Sequence, residues 1–436
     1  MNYKEAVAFL EQIPRFRGGD ALFSQRKLLE LLGSPQDRYP TVHVAGTNGK
    51  GTVCACMAQA LQDAGLKTGL FTSPHLVRIN ERIRIDGECI SDEDFLEAFE
   101  AVTKKASALE EKGLALPPYF GMLHAMALWY FDREKVDCAV IETGLGGRLD
   151  LTNVVKKPAV CVITAIGLDH TAYLGDTVEQ IAGEKAGIIK PGVPVVFDGN
   201  DPEAACVIRE RAAQAGSPSY AVDRSMIRDL HRTDKGIAFV LNNRYYDNIP
   251  VEVPFSAPFQ ADDTALALTA LRVMDPLGEL YSDKEAARRV SHTSWPGRLQ
   301  KTGSGLIVDG AHNPHAVRAL CEWIRQEAPE RKMTLLFGAS SDKDCANIVD
   351  ELAAAAPWQA VVVTGNGSSR GADPAYLASL FEKKTGAPVI VCPDVCEALA
   401  EAKQQAGTGT VLVTGSLYLA GAVLALEGDA SAGRKG

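Results

Sequence analysis

A short apolar run, a glycine-containing turn and then an amphipathic stretch recur along this chain, and that alternation leaves little choice of fold. The runs are Thr41–Ala45, Thr68–Thr72, Asp137–Glu142, Ala159–Ala165 and Pro194–Phe197. After a break come Leu306–Val308, Thr334–Phe337, Gln359–Thr364, Pro388–Val391 and Thr410–Val413. Helical stretches separate most of them. In Val53–Ala64, for instance, Val53, Met57, Ala60, Leu61 and Ala64 share one face and Gly65 supplies the stop. Strands that alternate with helices form βαβ units, so we expect an α/β fold with parallel sheet covered on both faces. Ligands of such sheets gather beyond the carboxyl ends of the strands.

Between the two series, the segment 223–253 alternates in Ile237–Leu241 and turns at Asn242-Asn243, which predicts a small antiparallel element. Pro and Gly punctuate the aperiodic stretch Ser291–Gly297, the expected interdomain linker, and Asp429–Gly436 reads as a frayed tail. With 46% apolar and 23% charged residues, neither disorder nor a fibrous repeat fits. The balance of 45 Lys+Arg against 55 Asp+Glu gives a net charge of −10, which argues against a nucleic-acid-coating protein. Met1-Asn2-Tyr3-Lys4-Glu5 has no export signal, and Thr414, Gly415, Ser416 and Gly421 interrupt the apolar stretch Val411–Leu426, so no membrane span is expected. The pairs Cys54/Cys56 and Cys392/Cys396 lack zinc-type partners, so the ten cysteines are expected to be free and buried in a reduced, cytoplasmic protein.

The strongest local signal is Val42-His43-Val44-Ala45-Gly46-Thr47-Asn48-Gly49-Lys50-Gly51-Thr52. A strand enters a glycine-rich turn and then a helix, so free backbone N–H groups and the positive helix end converge on one point. Gly46, Gly49 and Gly51 let the backbone wrap phosphate, and Lys50 sets a cation against the outer phosphates. The strict P-loop spacing is not met, since Val44 replaces the first glycine and Gly51 follows the lysine. A second signal, Glu142-Thr143-Gly144-Leu145-Gly146-Gly147-Arg148-Leu149-Asp150-Leu151-Thr152-Asn153, begins at a strand end, where an acid can hold Mg²⁺ or orient water. Gly167-Leu168-Asp169-His170 follows another strand in the same way.

Together these residues resemble the folylpolyglutamate synthase/dihydrofolate synthase family of the Mur ligase superfamily. Thr72-Ser73-Pro74-His75-Leu76, Asp169-His170-Thr171, Gly183-Glu184-Lys185-Ala186-Gly187 and Trp295-Pro296-Gly297-Arg298 carry the resemblance on. So do Asp309-Gly310-Ala311-His312-Asn313-Pro314-His315, Asp342-Lys343-Asp344 and Val413-Thr414-Gly415-Ser416-Leu417-Tyr418. The resemblance implies a P-loop-containing parallel-sheet ATPase domain over 1–295, then a smaller Rossmann-like glutamate-ligase domain over 296–436. It implies an ATP-dependent ligase that adds L-glutamate to a folate carboxylate through an acyl phosphate, and bacterial members often also make dihydrofolate from dihydropteroate.

By the same resemblance, Thr47, Asn48, Gly49, Lys50, Gly51, Thr52, Asp263, Arg298 and Asp309 would bind ATP, and Ser73, Pro74, His75 and Arg82 would border the folate. Ser73, Glu142 and His170 would ligate two Mg²⁺ ions with Lys185 as a carbamate, and Lys50, Glu142, His170, Lys185 and His312 would act in catalysis. A carbamate requires a neutral amine first, so the site must lower the Lys185 pKa by burial or nearby cations. The expected partners are ATP, folate and L-glutamate, acting on a monomer without nucleic acid or membrane.

Four positions depart from the family pattern. Gly121 and His124 stand where Glu and Thr are usual, Asp263 replaces an ATP-contacting Asn, and Thr52 replaces a common Ser while keeping the hydroxyl. Two alternatives remain open. A Mur-type ligase of cell-wall precursors is disfavoured by Ser73-Pro74-His75 and by the absence of a further domain ahead of residue 40. An inactive folate- or nucleotide-binding relic is disfavoured by the presence of Lys50, Glu142, His170, Lys185, Arg298, Asp309 and His312.

Overall fold

The computed structural model describes the chain except for residues 15–19, 112, 276–279, 281, 304, 328–331, 369 and 433–436. It divides into two compact units. The first comprises Met1–His75, Ile79–Pro254 and Gln260–Ser294, and the second Leu76–Arg78, Phe255–Phe259 and Trp295–Gly436.

The first unit is built on eight strands: β1 (Thr41–Ala45), β2 (Thr68–Phe71), β3 (Ile83–Ile85), β4 (Glu88–Cys89), β5 (Cys138–Glu142), β6 (Val160–Ile163), β7 (Val195–Asp198) and β8 (Ser219–Val222). They lie in the order β4-β3-β2-β5-β1-β6-β7-β8. From β2 to β8 every neighbour is parallel, and β3 and β4 extend the edge as an antiparallel hairpin. The central strands β1, β5 and β6 are buried throughout, as expected of sheet covered on both sides. Ala139 and Ile141 face one core, shared with Phe95, Phe99, Leu123 and Phe131. Ala45, Cys161 and Ile163 face the other, shared with Ile181, Ile208 and Phe197. Because β1 is flanked by β5 and β6, its carboxyl end is a topological switch point where both loop sets open.

The segment 223–253 holds β9 (Ile227–Thr233), β10 (Gly236–Leu241) and β11 (Ile249–Val253), a three-stranded antiparallel sheet in which β10 is central. One side of β10 is buried through Ile237, Phe239 and Leu241, in period with the alternation of its sequence.

The second unit contains β12 (Gln300–Lys301), β13 (Leu306–Val308), β14 (Met333–Phe337), β15 (Ala360–Val363), β16 (Val389–Val391) and β17 (Thr410–Thr414). Their order is β12-β13-β17-β14-β15-β16, all parallel except β12. The last strand therefore returns to lie between the first two parallel ones, and the switch point falls at the ends of β13, β17 and β14. Leu76 belongs to this unit. Its carbonyl lies so close to Gly421 that a Cβ there would sit 1.9 Å from the Leu76 oxygen, so only glycine admits the contact.

Two expectations need correction. The final helix, Leu417–Ala432, runs through residues 429–432 that read as tail, because its small and apolar residues sustain helix; 433–436 lie outside the described residues. Cys89, Cys206 and Cys396 are exposed rather than buried, since each falls on an outward face of an edge strand or helix, although none of the ten cysteines is in a disulfide.

Candidate active site

The helix after β1 begins at Lys50, three residues ahead of its apolar periodicity, with Gly49 as a left-handed N-cap at φ 88°. A side chain at Gly49 would be strained, and it would also meet the Asp263 carboxylate 2.1 Å from its Cβ. The turn is tied to the loop after β6 at three points. Thr47 Oγ1 donates to the Gly167 carbonyl at 3.1 Å, Thr164 Oγ1 donates to Asn48 O at 2.6 Å, and Thr47 N–H reaches Ala165 O at 2.9 Å. Gly51 and Thr52 are buried in the first helical turn. Lys50 Nζ folds back to donate to Gly46 O and Thr47 O at 3.1 and 3.2 Å, and stands 4.0 Å from Glu142 Oε1. A cation and a set of helix-end N–H groups thus share one concave turn, the arrangement that binds phosphate.

Glu142, 4% exposed, ends β5 beside this turn, and the Ser73 N–H donates to its Oε2 at 2.9 Å. The loop that follows is organised by Asp150, whose carboxylate accepts from the N–H groups of Gly144, Leu145 and Thr152 and from Thr152 Oγ1. Burial raises the Asp150 pKa and these bonds oppose it. Thr152 in turn meets His43 Nε2 at 2.8 Å, and burial lowers that imidazole to about 3, so it is neutral. Asp150 is a site residue to which the sequence reading gave no role; its signal was an acid three residues past the end of a glycine run.

Lys185 is buried at 4% exposure, and its Nζ donates to Gly46 O at 2.7 Å. Burial first, and then the nearby Lys50 charge, lower its pKa to about 7. Its backbone is clamped. Arg148 N–H donates to Glu184 O at 2.7 Å, the Arg148 guanidinium pairs with the Glu184 carboxylate, and a Cβ at Gly147 would strike Lys185 O. The first unit thereby brings Lys50 and Lys185 onto Gly46 O, with Glu142 beside Lys50 and Ser73 bonded to Glu142. His170, in a left-handed conformation at φ 51°, stands next to Asp169, Nε2 to Oδ2 at 3.9 Å, on the loop that Thr47 tethers through Gly167.

No group of three or more His, Cys, Asp or Glu side chains suited to a metal is found among the described residues. The donors around Gly46 nevertheless suit a hard cation. Glu142 and Ser73 offer oxygens from one spot, and next to Glu142 the Thr143 Oγ1 is enclosed without a hydrogen-bond partner among the described residues.

On the loop after β2, Pro74 follows a cis peptide, Arg82 Nε donates to His75 Nδ1 at 2.9 Å, and the Arg82 guanidinium lies over the Tyr119 ring. Arg82 is buried, not on a solvated face. The two departures on the helix Tyr119–Arg133 have a common cause. Gln25 Nε2 donates to Gly121 O at 3.1 Å and lies 3.3 Å from His124 Nδ1, and a Cβ at Gly121 would come within 2.6 Å of Gln25 Oε1. Gln25 therefore occupies the space that a longer side chain at 121 would need. Burial lowers the His124 pKa to about 3, so the pair is uncharged.

Asp263 is buried against the phosphate turn, where an ionised carboxylate competes with phosphate for the same positive helix end. Asp263→Asn should lower the KM for ATP about fivefold at low salt, roughly the 1 kcal/mol of one close charge pair in a water-like dielectric. The gain should shrink as salt rises. An unchanged or raised KM would mean instead that the charge holds the turn in place.

In the second unit, Asp309 is buried. Its two oxygens accept from Leu299 N–H and Ala311 N–H at 2.9 and 2.8 Å, and burial raises its pKa against the pull of Arg298. It thus fixes the turn that presents Arg298, where Leu299 sits at φ 46°. His312 Nδ1 lies 2.8 Å from Gly310 O, and the Asn313 side chain caps the next helix through Ala316 N–H.

Among known families, the Mur ligase middle domain matches residues 44–271, and the Mur ligase glutamate ligase domain matches 297–417. The folylpolyglutamate synthase of Lacticaseibacillus casei is 34% identical over 432 residues, covering 97% of this chain and 98% of that one. A dihydrofolate synthase/folylpolyglutamate synthase of Bacillus subtilis is also 34% identical, covering 95% and 97%. Among solved structures, Mycobacterium tuberculosis folylpolyglutamate synthase complexed with ADP superposes with a TM-score of 0.88 at 31% identity, covering 97% of this chain and 98% of that one.

Proposed function

The chain belongs to the folylpolyglutamate synthase/dihydrofolate synthase family of Mur ligases, ATP-dependent enzymes that add glutamate to folates, and from that premise we propose that it elongates tetrahydrofolate with L-glutamate and also converts dihydropteroate to dihydrofolate. The observation that carries the reading is the linked cluster at the glycine turn: Lys50 and Lys185 both bond Gly46 O, Glu142 stands 4.0 Å from Lys50, and the Ser73 N–H bonds Glu142. Four separate sequence motifs contribute to this cluster beside a turn suited to a triphosphate.

In the proposed reaction a folate carboxylate oxygen attacks the γ-phosphorus, the bond to the bridging oxygen breaks, and ADP leaves. The glutamate amine then attacks the acyl carbon, phosphate departs with the C–O bond, and the amine loses a proton. The first step brings anion against anion, so it needs fixed positive charge. Lys50 supplies one such charge, and the helix N-terminus at Gly49–Lys50 adds N–H donors. Ser73 and Glu142 are assigned to one magnesium ion, and His170 with Lys185 as a carbamate to a second. Bound there, magnesium would offset charge on the phosphate oxygens. Thr47, Asn48, Gly49, Gly51, Thr52 and Asp263 are assigned to ATP, and Pro74, His75 and Arg82 to the folate. From the second unit, Arg298 and Asp309 are assigned to ATP, and His312 to catalysis. We further assign 1–295 as the ATP-binding domain and 296–436 as the glutamate-ligase domain, in a cytoplasmic monomer. That none of the ten cysteines is in a disulfide supports a reducing compartment.

The test is ADP release in the presence of ATP, Mg²⁺ and L-glutamate, with dihydropteroate or tetrahydrofolate as acceptor. Both acceptors should support release. Turnover with tetrahydrofolate alone would remove the dihydrofolate synthase activity, and turnover with neither would remove the reading.

A further inference from the structure

Two segments of the first unit lock into one another behind Lys185. Gly147 and Arg148 lie in the loop after β5, and residues 184–187 close the helix Val178–Ala186. Each segment meets the other at a glycine. A Cβ at Gly147 would stand 2.6 Å from Lys185 O, and a Cβ at Gly187 would stand 2.5 Å from Arg148 Cα. The backbones therefore touch at both places, with no room for a side chain between them.

A helix leaves its last carbonyls without partners inside the helix. Here Arg148 N–H donates to Glu184 O at 2.7 Å, Ile188 N–H to Lys185 O at 3.2 Å, and Ile189 N–H to Ala186 O at 3.1 Å. The carbonyl of Gly187, the C-cap, receives the Asn153 side chain instead, Nδ2 to O at 3.2 Å. The same Nδ2 donates to Arg148 O at 3.1 Å, and Lys190 Nζ donates to Asn153 Oδ1 at 2.6 Å. An amide donates twice from its nitrogen and accepts at its oxygen, so this one buried side chain bonds both segments and the stretch that follows the helix. Its backbone is held as well, since Asn153 N–H donates to Asp150 O at 2.9 Å. Asp150 organises the loop that begins at Glu142, so Asn153 joins that loop to the turn carrying Lys185. The Lys185 amine is kept out of water against Gly46 O at 2.7 Å. A lysine stem is flexible, so the place of its backbone decides whether the amine stays there.

Resting on the carbamate reading of Lys185 above, we propose that Asn153 is a positioning residue, which holds the end of this helix so that the Lys185 amine stays beside Gly46, where CO₂ adds to it. In that step the nitrogen lone pair forms the N–C bond, one C=O electron pair moves onto its oxygen, and a proton leaves the nitrogen for solvent. Asn153 takes no part in that exchange. Its two N–H bonds act through the backbone on either side of the interlock, and the Lys190 bond turns the amide so that its nitrogen faces both carbonyls.

Carbon-13 NMR of enzyme equilibrated with labelled bicarbonate reads the carbamate without turnover. Asn153→Ala should lower the resonance at fixed bicarbonate and pH by at least about fivefold, the scale of one buried hydrogen bond. Asn153→Asp should lower it as far, because it keeps the volume and the Lys190 partner yet turns an oxygen toward both carbonyls. Lys190→Met should leave it near wild type, since both donors of Asn153 remain. ADP affinity should hold in all three variants, because the phosphate turn is anchored through Thr47, Asn48 and Thr164. A full resonance in the Asn153 variants would overturn the proposal. So would an equal loss in Lys190→Met, or a parallel loss of ADP affinity, either of which would mark Asn153 as a general strut. Failure of the carbamate reading itself would register separately, as a wild-type enzyme active in ADP release yet without the resonance.

Discussion

Lys50→Ala lowers steady-state ADP release by at least about 10²-fold, the usual scale for removing one preorganised charge from a developing anion. Lys50 lies on the first turn of its helix and bonds the carbonyls of Gly46 and Thr47, so its ammonium is already placed within the phosphate turn. No flexible search is required when the γ-phosphate arrives. Loss of those two bonds could also loosen the turn, so thermal unfolding of the variant belongs beside the rate measurement. A rate near that of the wild type would sink the phosphate assignment, whereas a large drop in rate with little change in Tm would isolate the charge.

Lys185→Ala should be nearly as damaging, with turnover below about one hundredth of wild type and partial recovery in formate or acetate. The argument runs through the amine. Carbamate formation requires a neutral nitrogen that attacks the carbon of CO₂ and sheds a proton. With its pKa near 7, Lys185 is about 90% neutral at pH 8, whereas an ordinary lysine at that pH is neutral in only about 0.3% of molecules. Carbamate occupancy at fixed CO₂ should therefore rise as pH passes through 7, not 10.5. Carbon-13 NMR of enzyme equilibrated with labelled bicarbonate should show one carbamate resonance that is missing from Lys185→Ala. An active wild-type enzyme with no such resonance would rule the modification out.

Much of the first unit could be read from the sequence because its signals are local. The runs that became β1, β5 and β6 are short and wholly apolar, and the glycine spacing after β1 requires a turn there whatever the rest of the chain does. The start of the next helix was misplaced because Lys50, Gly51 and Thr52 lack apolar periodicity; the helix begins where Gly49 caps it. The edge strands β3 and β4 escaped notice because three and two residues are too few to show a period. Gly121 and His124 looked like losses when compared with the family, and only the fold shows Gln25, 96 residues away, in the vacated space. Asp150 was likewise visible as a letter in a motif but not as the acceptor that shapes the loop. Such relations are set by long-range packing, which periodicity does not encode.

The inclusion of Leu76–Arg78 and Phe255–Phe259 in the second unit makes the carboxyl-terminal part of this chain poorly suited to use as an exchangeable module. A gene fragment beginning at Trp295 would leave behind Ala257, which belongs to one of its cores, and Leu76, which packs against the other. The notch at Gly421 is shaped to the Leu76 backbone and would be left empty. Recombination between relatives at the interdomain linker would therefore pair each notch with a foreign strap, and viable chimaeras should be those that inherit 76–78, 255–259 and the final helix from one parent.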